Sequence, residues 1–237
     1  MRVGIMQPYF MPYLGYWQLM QHVDVYVIYD NIQFTRKGWI HRNRMLQNGK
    51  DEYFSLPLKK DSDYLNIDQR FLSDSADKEL LKLTRKIESN YRKAPMFKEH
   101  MPLVNDIFAC DKTNLFDFLL YSINKVKETL EINTKLVISS DLEIDHGLKS
   151  QEKVLAICNE LGATEYINPI GGLELYDHQA FAESSIELKF MKSKLEAYPQ
   201  FKNAFIPGLS ILDILMFNEK KSISEMLNNN FELITNG

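Results

Sequence analysis

Cysteine, excess charge and long hydrophobic runs are all scarce in this sequence, and each scarcity excludes a class of protein. The two cysteines, Cys110 and Cys158, lack a CxxC partner or a metal-type spacing, so we expect buried free thiols in a reducing compartment. The 28 basic and 32 acidic residues leave a formal charge of -4, which argues against a dedicated nucleic-acid binder. No apolar run approaches the roughly 18 residues of a membrane-spanning helix, and the chain starts with a strand pattern rather than a secretory signal. We therefore expect a cytoplasmic protein with no nucleic-acid partner and no membrane span.

Recognisable cofactor and metal motifs are also missing. The sequence has no P-loop, no GxGxxG and no GxSxG. Its five histidines show neither HxH nor HxxxH spacing, so we predict no metal site built from neighbouring ligands. Any active site must therefore be assembled from residues that the fold brings together.

The sequence does contain a repeated alternation of short apolar runs and helical patterns. Residues 3–6 and 24–29 are strand-like and flank a helical pattern at 16–22, which predicts a β-α-β unit with a parallel strand pair. A second unit follows at 135–168. We predict an α/β fold with an open, mostly parallel Rossmann-like (HUP-like) sheet and an added helical layer. Residues 1–237 are expected to form a single α/β domain, with a helical insertion or subdomain at 74–131.

The position of the candidate site follows from this fold, because ligands of open parallel sheets bind beyond the carboxyl ends of the strands. Three loops leave predicted strands at that edge, after Met6, after Tyr29 and after Asn168. We expect them to converge on one small-molecule site, although the third is distant from the other two in sequence.

The first loop joins a strand to a helix N-terminus, where free backbone N–H groups attract anions such as phosphate. Tyr13 and Tyr16 are the catalytic candidates in this loop, and Gly15 would allow close backbone approach. The alternative is a proline-stiffened aromatic plug that only packs the strand end. The substrate-binding candidates are Gln7, Tyr9 and Gly15.

The second loop is dense in polar groups suited to a phosphate or a carboxylate. Asp30 stands directly at the strand end, where it would act as a general base or orient a ligand. Phe34 and Trp39 are rings suited to stacking on a base. The alternative is a solvated basic loop. The substrate-binding candidates are Gln33, Lys37, Arg42 and Asn43.

The third loop contains two adjacent glycines, Gly171 and Gly172, which predict either an anion-binding nest or an ordinary turn. Further along, Asp213 interrupts an apolar helical pattern and needs a partner if it is buried. Catalysis and the bracing of a neighbouring loop are equally open roles for this carboxylate.

Several of these segments resemble one family. The run QPYFMPYLGYW at 7–17, the block YDNIQF at 29–34 and the triplet Arg42-Asn43-Arg44 resemble the WbqC-like proteins. Later blocks around Gly162, Gly171, Tyr198 and Asp213 resemble the same family, so the likeness covers nearly the whole chain. It implies a bacterial role in surface-polysaccharide (O-antigen, lipopolysaccharide) biosynthesis, with modification of a nucleotide-linked sugar.

A more distant likeness concerns the first loop. The segment from Tyr13 to Tyr16 is similar in spacing to the HxGH loop of the nucleotidylyl transferase superfamily, with tyrosine in place of both histidines. A phenol donates a hydrogen bond but brings no positive charge to a triphosphate, which weighs against ATP activation.

The preferred hypothesis is an enzyme that transfers an acyl or aminoacyl group to a nucleotide-linked amino sugar and forms an amide. Tyr13, Tyr16 and the basic loop at 36–44 would hold phosphates, and Asp30 would deprotonate or orient the amine. ATP and an acyl-CoA donor are the candidate cofactors, and a homodimer is a further expectation. Two alternatives stay open: an ATP-dependent nucleotidylyl transferase or adenylate-forming ligase, and a non-catalytic nucleotide-sugar-binding subunit.

Overall fold

The computed structural model describes residues 1–235, so the last two residues of the predicted 1–237 domain lie outside it. Within this range the strands are β1 (Arg2–Met6), β2 (Val25–Ile28), β3 (Arg42–Gln47), β4 (Lys50–Ser55), β5 (Lys135–Ile138), β6 (Glu165–Pro169), β7 (Glu187–Ser193) and β8 (Phe231–Ile234). The α-helices are α1 (Leu14–His22), α2 (Ala76–Tyr91), α3 (Phe97–Phe108), α4 (Leu115–Thr129), α5 (Ser150–Glu160), α6 (His178–Glu183), α7 (Ile211–Phe217) and α8 (Lys220–Asn229). No helix of the described chain is both long enough and apolar enough to cross a membrane.

Six strands form one sheet in the order β5-β2-β1-β6-β7-β8. The first five of these are parallel, and β8 pairs antiparallel with β7. The predicted parallel pair is present, with Val3 beside Val25 and Met6 beside Ile28. The predicted α/β fold with a mostly parallel sheet and a helical layer is therefore confirmed. Strand β8 was not predicted from the sequence.

The central strands are apolar on both faces because helices cover both faces of the sheet. All four residues of β2 are buried. Tyr26 and Ile28 pack into one core with α1, α7 and α8, whereas Val25 and Val27 pack into a second core with α5 and α6. Side chains alternate between the two faces of a strand, and burial of each large aliphatic side chain contributes about 1.5–3 kcal/mol. Polar groups therefore collect at the strand ends.

The predicted helical segment at 74–131 contains α2, α3 and α4, and α3 packs against both α2 and α4. Asn114 caps α4, because its side-chain oxygen accepts hydrogen bonds from the backbone N–H groups of Phe116 (2.8 Å) and Asp117 (3.2 Å). Pro102 lies inside α3 instead of ending it. That this segment is an insertion or subdomain stays a prediction.

Strands β3 and β4 form a separate antiparallel hairpin. Its turn residues, Asn48 and Gly49, both have positive φ angles of 50° and 76°, as in the turns that match the twist of a tight hairpin. The backbone N–H of Leu46 in β3 donates a hydrogen bond of 2.8 Å to the Tyr91 hydroxyl of α2. The hairpin carries Asn43 and Arg44 to the loop after β1.

Both cysteines are free thiols in the structure. Cys158 is buried in α5, and burial raises the pKa of its thiol to about 12. Cys110 is only partly buried, and burial also raises its pKa. Neither thiol is activated as a nucleophile, because nucleophilic thiols have a lowered pKa.

Candidate functional site

A cleft of about 780 Å³ opens at the carboxyl edge of the sheet, where β1 and β6 lie side by side. Strands β2 and β5 lie on the β1 side of the cleft, and strands β7 and β8 lie on the β6 side. The strand order therefore reverses direction here, which makes this the switch point at which open α/β sheets bind ligands. All three predicted loops reach the cleft. They contribute Gln7, Tyr9, Tyr13 and Tyr16 after β1, Tyr29, Ile32 and Trp39 after β2, and residues 168–172 at the end of β6.

Neutral polar and aromatic groups line this cleft. Six tyrosines and one tryptophan border it, together with three side-chain amides. Among the described residues that line the cleft there is no Lys, Arg or His, and the acidic group is the exposed Glu174. Phenols and amides exchange hydrogen bonds with hydroxyl groups, and the rings offer apolar faces. The tyrosines are Tyr9, Tyr13, Tyr16, Tyr29, Tyr166 and Tyr176, and the amides belong to Gln7, Gln151 and Asn168.

Tyr16 forms the floor of the cleft. Its side chain is 1% exposed, and its ring packs edge-on against Tyr26 with the ring centroids 5.3 Å apart. Neither buried hydroxyl makes a hydrogen bond in the described structure, although the two lie close enough to influence each other's pKa. Burial raises the pKa of both phenols, so both stay neutral. An unsatisfied buried hydroxyl costs about 1–3 kcal/mol. Because Tyr16 lines the cleft, its hydroxyl is a candidate donor to a ligand.

The wall beside β6 is a hydrogen-bonded group of side chains. The Tyr166 hydroxyl donates to Asn168 Oδ1 (3.0 Å) and lies 3.2 Å from the Tyr176 hydroxyl. Asn168 Nδ2 donates to the Pro169 carbonyl oxygen (3.0 Å). A Cβ atom on Gly172 would overlap Asn168 Nδ2, so glycine at this position makes room for the amide. Gly171 borders the cleft with no atom within 4 Å of an added Cβ.

The first turn of α1 is buried, which bears on the predicted phosphate contact there. Leu14, Gly15 and Tyr16 are all buried. A Cβ on Gly15 would meet the Tyr13 hydroxyl at 2.5 Å, because the Tyr13 ring folds back over this turn. Gly15 is therefore required for the packing of Tyr13, and it does not line the cleft.

Asn43 holds the loop after β1 in place through side-chain hydrogen bonds. It is 4% exposed, and its Nδ2 donates to the carbonyl oxygens of Phe10 (3.0 Å) and Met11 (2.9 Å). Its Oδ1 accepts the backbone N–H of Arg44 (2.8 Å). Met11 has a φ of 46°, a left-handed conformation that side chains disfavour and that these hydrogen bonds help to maintain. Asn43 thus positions Tyr9 and Tyr13.

Asp30, the predicted general base, lies behind the cleft wall. It is 2% exposed, and its Oδ1 accepts hydrogen bonds from Ser139 Oγ (2.9 Å) and from the Ser140 backbone N–H (3.0 Å). Its neighbour Tyr29 lines the cleft, but Asp30 does not. These contacts tie the end of β2 to the end of β5, which gives Asp30 a positioning role.

The remaining candidates of the second loop lie outside the cleft. The Gln33 amide donates to the Asp63 carbonyl oxygen (2.9 Å), and Lys37 is exposed. The Arg42 guanidinium donates to the carbonyl oxygens of Gly38 (3.2 Å) and Lys37 (2.6 Å). The expected phosphate-binding set of basic side chains is therefore not gathered around this cleft.

Asp213 also lies away from the cleft. It is fully buried in α7 and accepts hydrogen bonds from the hydroxyls of Tyr91 (2.9 Å) and Tyr198 (2.7 Å) and from Gln200 Nε2 (2.6 Å). Burial raises its pKa even though the three donors act in the opposite direction. The carboxylate joins α2, the 198–200 segment and α7, so of its two open roles the geometry favours bracing.

Sequence reasoning missed part of the cleft. Ser150 and Gln151 at the start of α5 line it, as does Tyr176 after the 3₁₀ turn Ile170–Leu175. Ligands of open parallel sheets bind beyond the carboxyl ends of the strands. Because β5 is parallel to β2, the same rule applied to β5 would have predicted the start of α5 as part of the site. No local pattern marks Tyr176. Within residues 1–235, no group of three or more His, Cys, Asp or Glu side chains is arranged to hold a metal ion.

The sequence model of the WbqC-like protein family matches residues 7–225, which include all three loops. This chain belongs to the WbqC-like protein family. The WbqC-like chain is also 29% identical over 216 residues to the protein named "Uncharacterized protein Rv1507c" of Mycobacterium tuberculosis, which covers 90% of this chain and 92% of that relative. No solved structure matches it. The family resemblance drawn from the first and second loops is thus confirmed, and all residues that line the cleft except Ile5 and Met6 lie within the matched region.

Proposed function

We propose that this WbqC-like protein binds a nucleotide-linked sugar and modifies the sugar in the cleft, as a step in bacterial surface-polysaccharide formation. The observation that carries the proposal is the lining: six phenols, a tryptophan ring and three amides, with no basic side chain among the described lining residues. Sugar hydroxyls exchange hydrogen bonds with such groups, and the apolar face of a sugar ring packs on aromatic rings. The diphosphate of such a ligand would find no counter-charge among these residues, so we place the sugar half of the ligand in the cleft.

The proposed reaction transfers an acyl or aminoacyl group from a thioester donor to an amino group of the sugar. The amine nitrogen attacks the acyl carbonyl carbon, the carbon–sulfur bond breaks, and the proton lost by the nitrogen ends on the departing thiol. Negative charge develops on the carbonyl oxygen during the attack. We assign the donation of a hydrogen bond to this oxygen to Tyr16, which lines the cleft and whose hydroxyl has no partner in the described structure.

A direct transfer of this kind needs no covalent intermediate on the protein. That agrees with a lining in which the described residues include no Cys, His or Lys. ATP-dependent nucleotidylyl transfer has less support, because neutral phenols stand at positions 13 and 16. A non-catalytic nucleotide-sugar-binding subunit is the second candidate, and the observation in its favour is that Asp30 is bonded to Ser139 and Ser140 instead of facing the cleft.

The experiment is calorimetric titration with UDP-, dTDP- and GDP-linked amino sugars, followed by mass spectrometry of incubations with acetyl-CoA. We expect at least one nucleotide-linked sugar to bind and to gain an acetyl group. Tyr16→Phe removes only the unpartnered buried hydroxyl, so we expect the free energy of unfolding to rise by up to about 1–3 kcal/mol while kcat/KM falls by about 10- to 100-fold.

Tyr64→Phe is the matched control, because the Tyr64 side chain is 86% exposed and does not line the cleft. Binding without an acetylated product would favour the non-catalytic subunit. The proposal is wrong if no nucleotide-linked sugar binds, or if Tyr16→Phe and Tyr64→Phe behave alike in both assays.

A further inference from the structure

A smaller pocket of about 300 Å³ adjoins the cleft. The two cavities share Tyr9, Tyr13 and Trp39, so these three rings form the divide between them. We call the smaller pocket the Arg44 lobe, and beyond the divide it is lined by Pro12, Asn43, Arg44, Leu195 and Gly208. A ligand with two chemically different halves can therefore span both cavities.

Arg44 gives this lobe a character that the cleft lacks. Among the described residues that line either cavity, it is the one cationic side chain. Its Nη2 donates to the Gly208 carbonyl oxygen (3.1 Å), and its Nη1 lies 3.1 Å from Asp51 Oδ2. Its Nε is buried and makes no hydrogen bond in the described structure. The guanidinium is thus held by two of its five N–H donors, and the remaining donors make no hydrogen bond to these partners.

The Trp39 ring lies between the guanidinium and the cleft. It is 37% exposed, and the Arg44 guanidinium carbon is 5.7 Å from its centroid. On the hairpin, Tyr53 stacks on Trp39 with centroids 6.1 Å apart and planes 15° apart. These contacts fix the ring at the divide, where it offers a planar surface to a base or a sugar.

We infer that the Arg44 lobe binds the diphosphate of the nucleotide-linked sugar while the sugar occupies the tyrosine-lined cleft. The inference rests on the proposed function and adds the direction in which the ligand lies. In the cleft, a diphosphate would be buried among neutral phenols and near Glu174, which is costly without a counter-charge. The first turn of α1, where many related folds bind phosphate, is covered here by the Tyr13 ring. Arg44 offers charge-assisted hydrogen bonds at the divide instead.

Asp51 allows the charge of Arg44 to be tested separately from the folding of the hairpin. Its carboxylate is 43% exposed and partly neutralises Arg44 on the outer side of the lobe. Loss of Arg44 should weaken the binding of a diphosphate, whereas loss of the Asp51 charge should strengthen it, because a competing anion is removed. Simple damage to the hairpin would weaken binding in both variants.

The experiment is calorimetric titration of wild type, Arg44→Gln, Arg44→Lys and Asp51→Asn with UDP, UDP-N-acetylglucosamine and the neutral methyl glycoside of N-acetylglucosamine. dTDP and a dTDP-linked sugar are titrated in parallel. We expect Arg44→Gln to lower the affinity for UDP and for UDP-N-acetylglucosamine about tenfold or more and to leave the affinity for the neutral glycoside unchanged. Arg44→Lys should lower the affinity for the nucleotides by a smaller factor. Asp51→Asn should tighten nucleotide binding about threefold. Arg36→Gln is the matched control, because Arg36 is exposed and lines neither cavity.

The outcomes separate this inference from the proposed function. If nucleotide-linked sugars bind and Arg44→Gln binds them as wild type does, the Arg44 lobe is not the diphosphate site but the proposed function stands. If free UDP or dTDP binds through Arg44 and no nucleotide-linked sugar binds, the lobe assignment holds and the proposed function is wrong. If no probe binds, both are overturned. If Arg44→Gln loses nucleotide and glycoside affinity equally and Asp51→Asn also binds more weakly, the lobe assignment alone is wrong, because damage to the hairpin then explains the loss.

Discussion

Asn43 offers the most direct test of how this protein builds its candidate site. The side chain links β3 to the loop after β1 by two hydrogen bonds of 2.9 and 3.0 Å, accepts a third of 2.8 Å from the Arg44 backbone N–H within β3, and is 4% exposed. The two carbonyl groups that it satisfies belong to Phe10 and Met11, which are fully buried. Asn43→Ala leaves both carbonyl oxygens and one backbone N–H without these partners.

Each unsatisfied buried polar group costs about 1–3 kcal/mol, and the three losses are not additive because the loop can relax. We expect Asn43→Ala to lower the free energy of unfolding by about 3 kcal/mol, a large part of the roughly 5–15 kcal/mol typical of a folded protein. Asn43→Asp has the same shape but replaces the donor Nδ2 with an oxygen that faces two carbonyl oxygens. We expect it to be at least as destabilising.

The measurement is urea unfolding followed by tryptophan fluorescence, since Trp17 is fully buried and its emission changes on exposure. Asn133→Ala is the control, because Asn133 is exposed and its Nδ2 lies 3.4 Å from its acceptor, the Glu131 carbonyl oxygen. It should change stability by no more than about 0.5 kcal/mol. If Asn43→Ala is no more destabilising than Asn133→Ala, Asn43 does not hold the loop.

Two further stability predictions concern other buried or partly buried groups. Asp213→Ala removes the shared acceptor of three donors, so we expect a loss of about 3 kcal/mol in urea unfolding, and the role of Asp213 as a brace is wrong if the loss is below about 1 kcal/mol. Burial, and then Arg42, Arg36 and Arg70, lower the pKa of His41 to about 4, so the unfolded chain takes up its proton more readily than the folded one. The His41 contribution to stability is therefore complete above about pH 6.5 and lost as the pH falls towards 4. Wild type should lose more stability than His41→Gln over this range, and parallel pH profiles would refute the assignment.

The neutral lining of the cleft argues against the hypothesis that the basic loop at 36–44 holds phosphates there. That hypothesis placed phosphate among the basic residues at 36–44, but Arg42 donates its hydrogen bonds to backbone carbonyls and its guanidinium lies 4.9 Å from the centroid of the Tyr53 ring. Alternation along β3 buries Asn43 under the first loop and leaves Arg44 as the basic side chain of this segment that reaches a cavity. A composition count could not distinguish Arg42 from Arg44, because the distinction depends on which acceptors each one meets.

Local signals were enough to predict much of the fold. The strand-like run at 24–29 contains β2, and the polar segment 111–114, a pattern typical of a helix start, directly precedes α4. Gly162, with a φ of 66°, follows the end of α5, a position that favours glycine. These signals succeed because helix caps, turns and apolar periodicity act between residues that are close in sequence.

Strand and helix patterns were sufficient to predict the mostly parallel sheet and the edge at which three loops meet, because these patterns act between residues that are close in the chain. Which polar side chains face the cleft depends instead on contacts between distant segments. Asp30 turns towards Ser139 and Asn43 towards Phe10, and neither partner is close to it in the chain. The direction of a polar side chain is set by the hydrogen-bond partners that folding brings within about 3 Å, and local sequence does not contain that information.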